Sequence, residues 1–247
     1  MAERKRIDVA LVEQGFFASR AKAREAIEAG LVFVAGNLVR KPSEEVDASA
    51  EISAQAPYRW VSRGGVKLAG ALKAFTIDVR GLVCLDLGAS TGGFCHVLLE
   101  QGVSRIYAVD VGHGQLHPTI AADPRVVSWE KTDARMLKAA MFETPPQLIV
   151  CDVSFISLKL VLPHVLPLAA SGAQLVALIK PQFEAGRERT SKGIVRDSSL
   201  HDEICADIKR FVESLGWSDS SIIPSPIEGG DGNREFLMHA KRGALAV

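Results

Sequence analysis

Short apolar runs alternate with helix-length segments through the centre and the C-terminal half of the chain. This rhythm predicts an open α/β sheet, because helices that connect successive strands let those strands lie parallel. The runs, which are rich in Val, Ile and Leu, are residues 82–87, 105–110, 147–152 and 174–180. Ligands of such sheets bind beyond the carboxyl ends of the strands. The polar residues at these ends are therefore predicted to border one crevice: Asp86, Asp110, Asp152 and Lys180.

The N-terminal segment has a different pattern. Residues 7–14 and 20–29 each carry an apolar stripe with helical spacing, and Ser19 precedes the second stripe as a cap. Apolar stretches then flank Ala35-Gly36-Asn37, a sequence suited to a tight hairpin turn with positive φ. We therefore predict a small α+β domain over residues 1–56, a linker over residues 57–63 and a larger α/β domain over residues 64–247.

Composition supports a folded protein and assigns excess charge to one segment only. The chain has 247 residues, of which 47% are apolar, and its 29 basic residues balance 29 acidic ones. In residues 1–41, eight basic minus five acidic residues leave a local charge of +3. No apolar stretch is long enough to span a membrane, and no secretory leader is visible. The cysteines show no close pairing in the sequence; they are Cys84, Cys95, Cys151 and Cys205. Together these features predict a cytoplasmic protein with reduced cysteines.

Cationic residues of the N-terminal segment are candidate RNA contacts. Arg20 and Arg24 lie one helical turn apart and are placed to straddle a phosphate backbone. The stretches R-I-D-V-A-L-V-E-Q-G, S-R-A-K-A-R-E-A-I and G-L-V-F-V-A-G-N-L-V-R-K-P resemble the S4 domain, an RNA-binding module. The alternative is a small dimerisation element with a charged face. The resemblance implies contacts to folded RNA from Arg6, Ser19, Arg20, Lys22 and Arg24, to which we add Arg63 of the linker.

A glycine-rich turn follows the first strand of the predicted sheet. The sequence D-L-G-A-S-T-G-G-F lacks the G-x-G-x-x-G spacing of dinucleotide sites and the Gly-Lys-Ser/Thr of phosphate loops. It resembles the first motif of S-adenosylmethionine-dependent methyltransferases, which implies that cofactor. The candidate cofactor-binding residues are Asp86, Gly88, Ala89, Ser90, Thr91, Gly92, Gly93 and Phe94, with Asp110 for the ribose hydroxyls and Asp133 for the adenine amino group.

Four charged residues far apart in the sequence form the candidate catalytic set. Lys67, Asp152, Lys180 and Glu235 match, in order, the K-D-K-E tetrad of FtsJ-type ribose 2′-O-methyltransferases. Six further motifs resemble the TlyA family: W-V-S-R-G-G-V-K-L, C-L-D-L-G-A-S-T-G-G-F, A-V-D-V-G-H-G-Q-L, D-V-S-F-I-S-L, I-K-P-Q-F-E-A-G and D-G-N-R-E-F. A lysine that emerges from a buried strand is costly unless it is paired, so a purely structural ion pair between Lys180 and Asp152 is the alternative.

Methylation of a hydroxyl requires removal of its proton as the new bond forms. A partly desolvated lysine beside a second cation can be neutral near physiological pH and can accept that proton. Our hypothesis is that Lys180 acts as the base, that Lys67 and Asp152 position the ribose and tune this lysine, and that Glu235 orients both lysines.

The TlyA resemblance implies 2′-O-methylation of a cytidine in ribosomal RNA, with naked RNA or a ribosomal subunit as partner. No metal is expected, because the histidines are scattered. Three other functions are weighed: a nicotinamide dehydrogenase, which the glycine spacing disfavours, a non-catalytic RNA-binding or ribosome-assembly factor, and a cytolysin, since some family members carry a haemolysin label. The sequence does not select the cytidine, the subunit or the oligomeric state.

Overall fold

The structure, a computed structural model, describes residues 4–190, 193–229 and 232–243. Asp231, the first residue of the D-G-N-R-E-F motif, lies outside these ranges. The chain divides into two units, Met1–Arg59 and Trp60–Val247. None of the helices in the described ranges combines the length and the apolar character that a bilayer crossing requires.

The first unit follows the predicted α+β pattern of short helices and strands. Its elements are α1 (Ile7–Glu13), α2 (Arg20–Glu28), β1 (Arg4–Arg6), β2 (Val32–Val34), β3 (Asn37–Leu38), β4 (Glu45–Asp47) and β5 (Ile52–Ala54). Strand β1 pairs with β4, and β3, β2 and β5 form a second antiparallel sheet in that order. The predicted cap of α2 is confirmed, because the Ser19 side chain accepts a hydrogen bond from the backbone N–H of Lys22.

The hairpin between β2 and β3 has a shorter turn than the sequence predicted. Ala35 and Gly36 both have positive φ, 48° and 77°, and they form the whole loop. Asn37 was expected in the turn, but it pairs with Val34 in the ladder. Two residues in the left-handed region are enough to match the twist of the flanking strands, so a third turn residue is not needed.

The second unit is built around one seven-stranded sheet. Its strands are β6 (Val83–Leu87), β7 (Arg105–Val109), β8 (Val126–Trp129), β9 (Leu148–Cys151), β10 (Gln174–Ile179), β11 (Trp217–Pro224) and β12 (Phe236–Arg242). The spatial order is β11-β12-β10-β9-β6-β7-β8. The strands from β10 to β8 are parallel, whereas β12 and β11 add an antiparallel edge. The predicted open α/β sheet is confirmed.

Helices cover both faces of this sheet. They are α3 (Gly64–Ala74), α4 (Gly93–Glu100), α5 (Pro118–Ala121), α6 (Leu158–Val165), α7 (Pro181–Glu184) and α8 (Ser198–Ser214). In α8, the buried residues Ile204, Ile208 and Val212 recur every fourth position and form one apolar stripe. This stripe packs in one core cluster with α6, while α3 and α4 contribute to a second cluster. The central strands are therefore buried on both faces, as parallel strands require.

The register of the parallel strands brings their ends together. Leu87 of β6 lies opposite both Val109 of β7 and Cys151 of β9. Asp110 and Asp152 each follow directly after these partners, so their side chains emerge at one edge of the sheet. The structure thus brings two of the predicted crevice residues to the same place, because β7 and β9 both pair with β6 in a register that ends the three strands at the same level.

The antiparallel edge adds the last member of the candidate catalytic set. Ile179 at the end of β10 pairs with Phe236 at the start of β12. Lys180 follows the first of these residues and Glu235 precedes the second. Lys180 and Glu235 are 55 positions apart in the sequence, yet they belong to neighbouring strands at the same edge, next to Asp152.

Candidate active site and RNA-binding surface

The turn after β6 needs glycine at its first position. Gly88 has φ of +81°, and a Cβ built there would lie 2.6 Å from the backbone oxygen of Asp152. A side chain at residue 88 would therefore meet a strained backbone and a close contact with the neighbouring strand end. Gly92 also has positive φ, +90°, and α4 begins directly after it. The two glycines let the backbone double back at the edge of the sheet.

A cavity of about 470 Å³ opens beside this turn. Gly88, Ser90, Asp110 and Asp133 line it, as does Asp152. Its apolar wall is formed by Val109, Val111, Ile156 and Val161. A lining that combines carboxylates with apolar side chains suits a nucleoside with hydroxyl groups and a flat base. The lining contains no cluster of cations that would favour a pyrophosphate. The residues present therefore fit S-adenosylmethionine better than a dinucleotide.

Asp110 is held rigidly at the end of β7. Its Oδ2 accepts a hydrogen bond from the backbone N–H of Ser90 at 2.7 Å, and its Oδ1 accepts one from Gly112 at 2.6 Å. Each carboxylate oxygen has a second lone pair free for a hydroxyl donor. The carboxylate is thus preorganised at the cavity wall, where the predicted ribose contact requires it.

Asp133 has a different environment. It receives hydrogen bonds from the backbone and the guanidinium of Arg135, which lower the pKa of this carboxyl. The carboxylate is therefore ionised at neutral pH and acts only as an acceptor. An acceptor at the cavity wall is compatible with the predicted contact to an amino group.

Asp86 does not reach the cavity, which corrects its predicted place at the crevice. Its side chain is fully buried inside β6, where the thiol of Cys95 donates a hydrogen bond to Oδ2 at 3.1 Å. Burial raises the pKa of Asp86 to about 7, and the nearby Asp152 and Asp110 add to the effect. The alternation of a strand directs this residue into the layer between the sheet and α4 rather than out of the strand end.

The other predicted cofactor-binding residues of this turn also lie away from the cavity. Ala89 and Phe94 are buried, Thr91 is exposed, and Gly92 and Gly93 lie close to the side chains of Leu116 and Ser62. None of these lines the 470 Å³ cavity. Their contribution is to shape the turn and to begin α4.

The candidate catalytic residues form two ion pairs. The amine of Lys180 lies 2.6 Å from Oδ1 of Asp152, and the amine of Lys67 lies 2.5 Å from Oε2 of Glu235. The Lys67 and Glu235 side chains are only 7% and 3% exposed, so this pair is almost completely removed from water. The sequence hypothesis had Glu235 orient both lysines, whereas the structure pairs Glu235 with Lys67 and Asp152 with Lys180.

Lys180 has a second polar partner that the sequence analysis missed. Its amine donates a hydrogen bond to the hydroxyl of Ser154 at 2.7 Å. The contact with Asp152 is a close charge pair without hydrogen-bond alignment, because Oδ1 of Asp152 has no hydrogen-bond partner. The amine is therefore aimed by Ser154 and held electrostatically by Asp152. The spacing D-x-S directly after a buried strand is the signal that points to Ser154.

Two aromatic rings were also missed. Phe155 has a positive φ of 65° and is 90% exposed, although it is large and apolar. Its ring lies 5.1 Å from the ring of Phe183, centroid to centroid. Phe155 directly follows Ser154, and it lines the 470 Å³ cavity. A strained backbone that holds an aromatic ring in solvent is typical of a ligand contact.

The arginines of the first unit converge on one buried carboxylate. Asp8 has a fully buried side chain and accepts hydrogen bonds from Arg6 at 3.0 Å, Arg20 at 2.8 Å and Arg24 at 3.4 Å. We call these four residues the Asp8 cluster. The arginine side chains remain 43 to 51% exposed. The cluster carries three positive charges and one negative charge, so it presents a net cationic surface.

Of the remaining predicted RNA contacts, one has a structural role and two are partly exposed to solvent. Ser19 caps α2, so its hydroxyl is already engaged. Lys22 lies in the first turn of α2 and is partly exposed. Arg63 directly precedes α3 and is also partly exposed. The sequence analysis overlooked Asp8, for which the signal was an acidic residue among basic ones on an apolar helix face.

Replacement of Asp8 by asparagine tests the Asp8 cluster. The arginines lower the pKa of Asp8 below its usual range, mainly through the hydrogen bond from Arg6. A carboxylate with a lowered pKa stabilises the fold above its unfolded pKa, and this contribution is lost as the pH falls through the folded pKa. We expect Asp8→Asn to destabilise the protein most at neutral pH, with the difference narrowing below about pH 4.

Thermal unfolding of the full chain followed by circular dichroism across this pH range measures the effect. Asp78→Asn is the matched control, since Asp78 also pairs with an arginine but is 63% exposed. It should change stability little at any pH. A difference between Asp8→Asn and wild type that grows in acid would contradict the interpretation.

Gly88→Ala tests the turn after β6. The left-handed conformation alone costs an alanine about 1–2 kcal/mol, and the contact with the Asp152 backbone adds to this. Gly172→Ala is the control, because Gly172 has φ of +72° but nothing within 4 Å of its Cβ position. Chemical denaturation should show a larger loss for Gly88→Ala, and calorimetry should show weaker S-adenosylhomocysteine binding for that variant only. Equal losses of stability in both variants would show that the close approach has no effect.

Comparison with known proteins agrees with this geometry. The family model described as FtsJ-like methyltransferase matches residues 60–242, and the model described as S4 domain matches residues 5–52. The chain is 42% identical to the 16S/23S rRNA (cytidine-2′-O)-methyltransferase TlyA of Mycobacterium tuberculosis, over 96% of this chain and 90% of that protein. The chain belongs to the TlyA family of FtsJ-like methyltransferases. The predicted family and enzyme class are therefore confirmed.

Solved structures support the fold of this TlyA family member. A Streptococcus thermophilus protein described as a hemolysin shares 42% identity, with a TM-score of 0.78 over 98% of this chain and 90% of that one. An S-adenosylmethionine-dependent methyltransferase of Mesorhizobium loti shares only 16% identity, with a TM-score of 0.51 over 70% of this chain and 96% of that one. The second likeness concerns the fold alone. It confirms the predicted methyltransferase-type sheet.

Proposed function

We propose that the protein transfers a methyl group from S-adenosylmethionine to the ribose 2′-hydroxyl of a cytidine in ribosomal RNA. The observation that carries the proposal is a buried strand-end lysine, Lys180, paired with Asp152 at the wall of a nucleoside-sized cavity. Sequence relatives named as rRNA (cytidine-2′-O)-methyltransferases support the substrate class. A ribosomal substrate would be met in the cytoplasm.

The cavity residues would hold the cofactor. The fixed carboxylate of Asp110 would accept hydrogen bonds from the ribose hydroxyls, and Asp133 would accept from the adenine amino group. Gly88 and Ser90, which line the cavity at the turn after β6, would contact the cofactor. S-adenosylmethionine, when bound, supplies the electrophilic methyl group.

The chain's own contribution to the reaction is to orient the 2′-hydroxyl and to accept its proton. The neutral amine of Lys180 would accept a hydrogen bond from the hydroxyl and then take its proton as the general base, while the hydroxyl oxygen forms its bond to the methyl group. Asp152 and Ser154 would keep the amine in one position, so that little reorganisation is needed when the substrate arrives. The Lys67–Glu235 pair, at the neighbouring strand end, would support the ribose and order this edge of the sheet.

RNA binding would use two kinds of surface. The arginines of the Asp8 cluster would contact phosphates, with Lys22 and Arg63 as further contacts. Arginines that are already oriented by a buried carboxylate lose less conformational entropy on binding than free side chains do. The exposed ring of Phe155 would stack on an unstacked base near Lys180.

Methyl transfer from tritiated S-adenosylmethionine to ribosomal subunits tests the proposal. Subunits should come from cells that lack the gene, and 2′-O-methyl marks on ribosomal RNA should be mapped with and without it. Loss of one cytidine mark, restored by the purified protein, is the expected result. RNA binding with no transfer to either subunit would instead indicate a non-catalytic assembly factor. Dye release from liposomes would indicate a cytolysin.

A further inference from the structure

A second cavity, of about 330 Å³, lies between two loops of the second unit. Arg196 and Arg234 line it, together with Glu228 and His201. Arg234 directly precedes Glu235 in the sequence. Arg234 and Glu228 also line an adjoining cavity of about 280 Å³, and Glu235 is part of that wall. Arg234 therefore lies beside Glu235 of the candidate catalytic set, and both arginines lie outside the cavity that suits the cofactor.

A buried asparagine fixes the two loops to each other. Asn233 is 3% exposed. Its amide nitrogen donates a hydrogen bond to the backbone oxygen of Gly193 at 3.1 Å, and its side-chain oxygen accepts one from the N–H of Val195 at 3.4 Å. Its backbone oxygen accepts a hydrogen bond from Gly229 at 2.8 Å. A buried side-chain amide that links two loops in this way holds them in one arrangement.

The same network positions the two arginines. Arg196 directly follows Val195, and Arg234 directly follows Asn233, so both arginines extend from pinned backbone. The ring Nε2 of His201 lies 3.0 Å from the Val195 oxygen and adds a second anchor. The other ring nitrogen of His201 is buried without a hydrogen-bond partner. The backbone on which the two arginines stand is therefore held by buried hydrogen bonds, while their side chains are exposed.

Arg196 and Arg234 are exposed, and within the described ranges neither forms an ion pair or a side-chain hydrogen bond. Most other arginines of this unit are paired, for example Arg125 with Asp123 and Arg189 with Glu203. Two guanidinium groups that line one cavity bring two positive charges and several N–H donors to it, and each guanidinium can bind two oxygens of a phosphodiester.

We propose that this cavity binds a backbone phosphate of the RNA adjacent to the nucleotide that is methylated. The inference rests on the proposed function, and it identifies a phosphate contact in the second unit in addition to the Asp8 cluster of the first. The adjoining wall that contains Glu235 connects the phosphate to the catalytic edge of the sheet. A phosphate held there restricts the position of the neighbouring ribose, which helps to place its 2′-hydroxyl at Lys180.

A variant of Glu228 distinguishes between an anion and a cation as the ligand of this cavity. Its carboxylate lines the same cavity and repels a phosphate. If an anion binds, Glu228→Gln should strengthen RNA binding. If the arginines only serve the carboxylate within the protein, or if a cation binds, the same variant should weaken binding or leave it unchanged.

The test measures the affinity of the full chain for a short fluorescein-labelled single-stranded RNA as a function of KCl concentration. In the double variant Arg196→Ala/Arg234→Ala, the slope of log affinity against log salt should shrink by about 0.7 for the lost phosphate. The variant with lysine at both positions should retain most of the slope, because the charges remain. Glu228→Gln should bind more tightly than wild type.

Arg210→Ala is the matched control, because Arg210 is 68% exposed on α8 and lines neither cavity. It should behave as wild type, and thermal unfolding should confirm that the double variant is folded. In the methylation assay the double variant should raise KM for ribosomal subunits and leave S-adenosylhomocysteine affinity unchanged.

An unchanged salt slope in the double variant, or RNA binding by Glu228→Gln that is no tighter than that of wild type, would overturn the phosphate site. A wild-type chain that does not bind the RNA would overturn it as well. The proposed function fails separately. A wild-type chain without methyl transfer but with the expected difference in slopes would remove the reaction and keep the phosphate site.

Discussion

Lys180→Ala is expected to lower kcat for methyl transfer by about 10² to 10⁴-fold, the range attributed to a positioned general base. The variant removes the amine that lies between Asp152 and Ser154, so no group remains there to accept the proton of the 2′-hydroxyl. Binding of S-adenosylhomocysteine should stay within a few fold, because the Lys180 side chain does not line the 470 Å³ cavity. Single-turnover transfer of tritiated methyl groups and calorimetric titration measure the two quantities.

Two further variants separate chemistry from structure in this experiment. Lys180→Arg keeps a cation beside Asp152 but cannot act as a base, because a guanidinium does not lose its proton in proteins. It should therefore be folded and nearly inactive. Lys209→Ala, at an exposed lysine of α8, should have wild-type activity. If Lys180→Arg were fully active, the ion pair would be structural, and another group would accept the proton.

Glu235→Ala is expected to destabilise the protein by about 3–5 kcal/mol, the cost of leaving one member of a buried ion pair without its partner. Lys67 would keep a charge in a site where its side chain is only 7% exposed. Chemical denaturation of the full chain, followed by tryptophan fluorescence, measures the loss. Glu213→Ala is the control. Glu213 is 42% exposed and lies 4.0 Å from Lys209, so its removal should cost less than about 1 kcal/mol.

The double variant Lys67→Met/Glu235→Leu reveals what the buried pair contributes besides stability. Replacing both charges by apolar side chains of similar volume should recover most of the stability lost in Glu235→Ala. Methyl transfer should not recover, because the ribose would lose the polar groups beside it. A double variant that is both stable and active would show that this pair has no part in the reaction.

The two ion pairs at the strand ends are thus proposed to have different roles, one in proton transfer and one in ordering the site. Lys180 belongs to the pair whose carboxylate, Asp152, is 19% exposed and lines the cavity. Lys67 belongs to the pair that is nearly sealed from water. A group that exchanges a proton with a substrate needs an open side, whereas a group that only orders its surroundings does not. The two lysines are themselves almost equally buried, at 9% and 7% exposed, so the base is assigned to Lys180 because its partner Asp152 is the more exposed carboxylate and lines the cavity.

Much of the second unit could be predicted from local sequence patterns. The four predicted apolar runs became β6, β7, β9 and β10, with ends that moved by one residue at most. The apolar stripe of α8, formed by Ile204, Ile208 and Val212, also has a helical spacing that is visible in the sequence. Side chains that alternate or recur every fourth position are decided by neighbours along the chain, and these neighbours are visible in the sequence. The order of strand ends then indicated Asp110, Asp152 and Lys180 as residues of one edge.

Individual partners could not be predicted in this way. Lys67 and Glu235 are 168 positions apart, and their pairing depends on how α3 packs against β12, the strand that begins directly after Glu235. Asp86 was expected at the crevice, but the pleat of β6 turns its side chain beneath α4. The Asp8 cluster depends on how α1 packs against α2. Each of these outcomes depends on distances between elements that no local pattern encodes.

The sequence by itself determined the kind of protein: an S4 domain followed by a methyltransferase sheet, the glycine-rich turn and the four charged residues of the candidate catalytic set. The order of the strand ends also pointed to the pairing of Lys180 with Asp152. Only the tertiary structure decided that Lys67 meets Glu235 and that three arginines meet Asp8. The physical reason is that periodicity is a property of one segment. A buried ion pair depends on the register and packing of two segments, which become fixed only when the core closes.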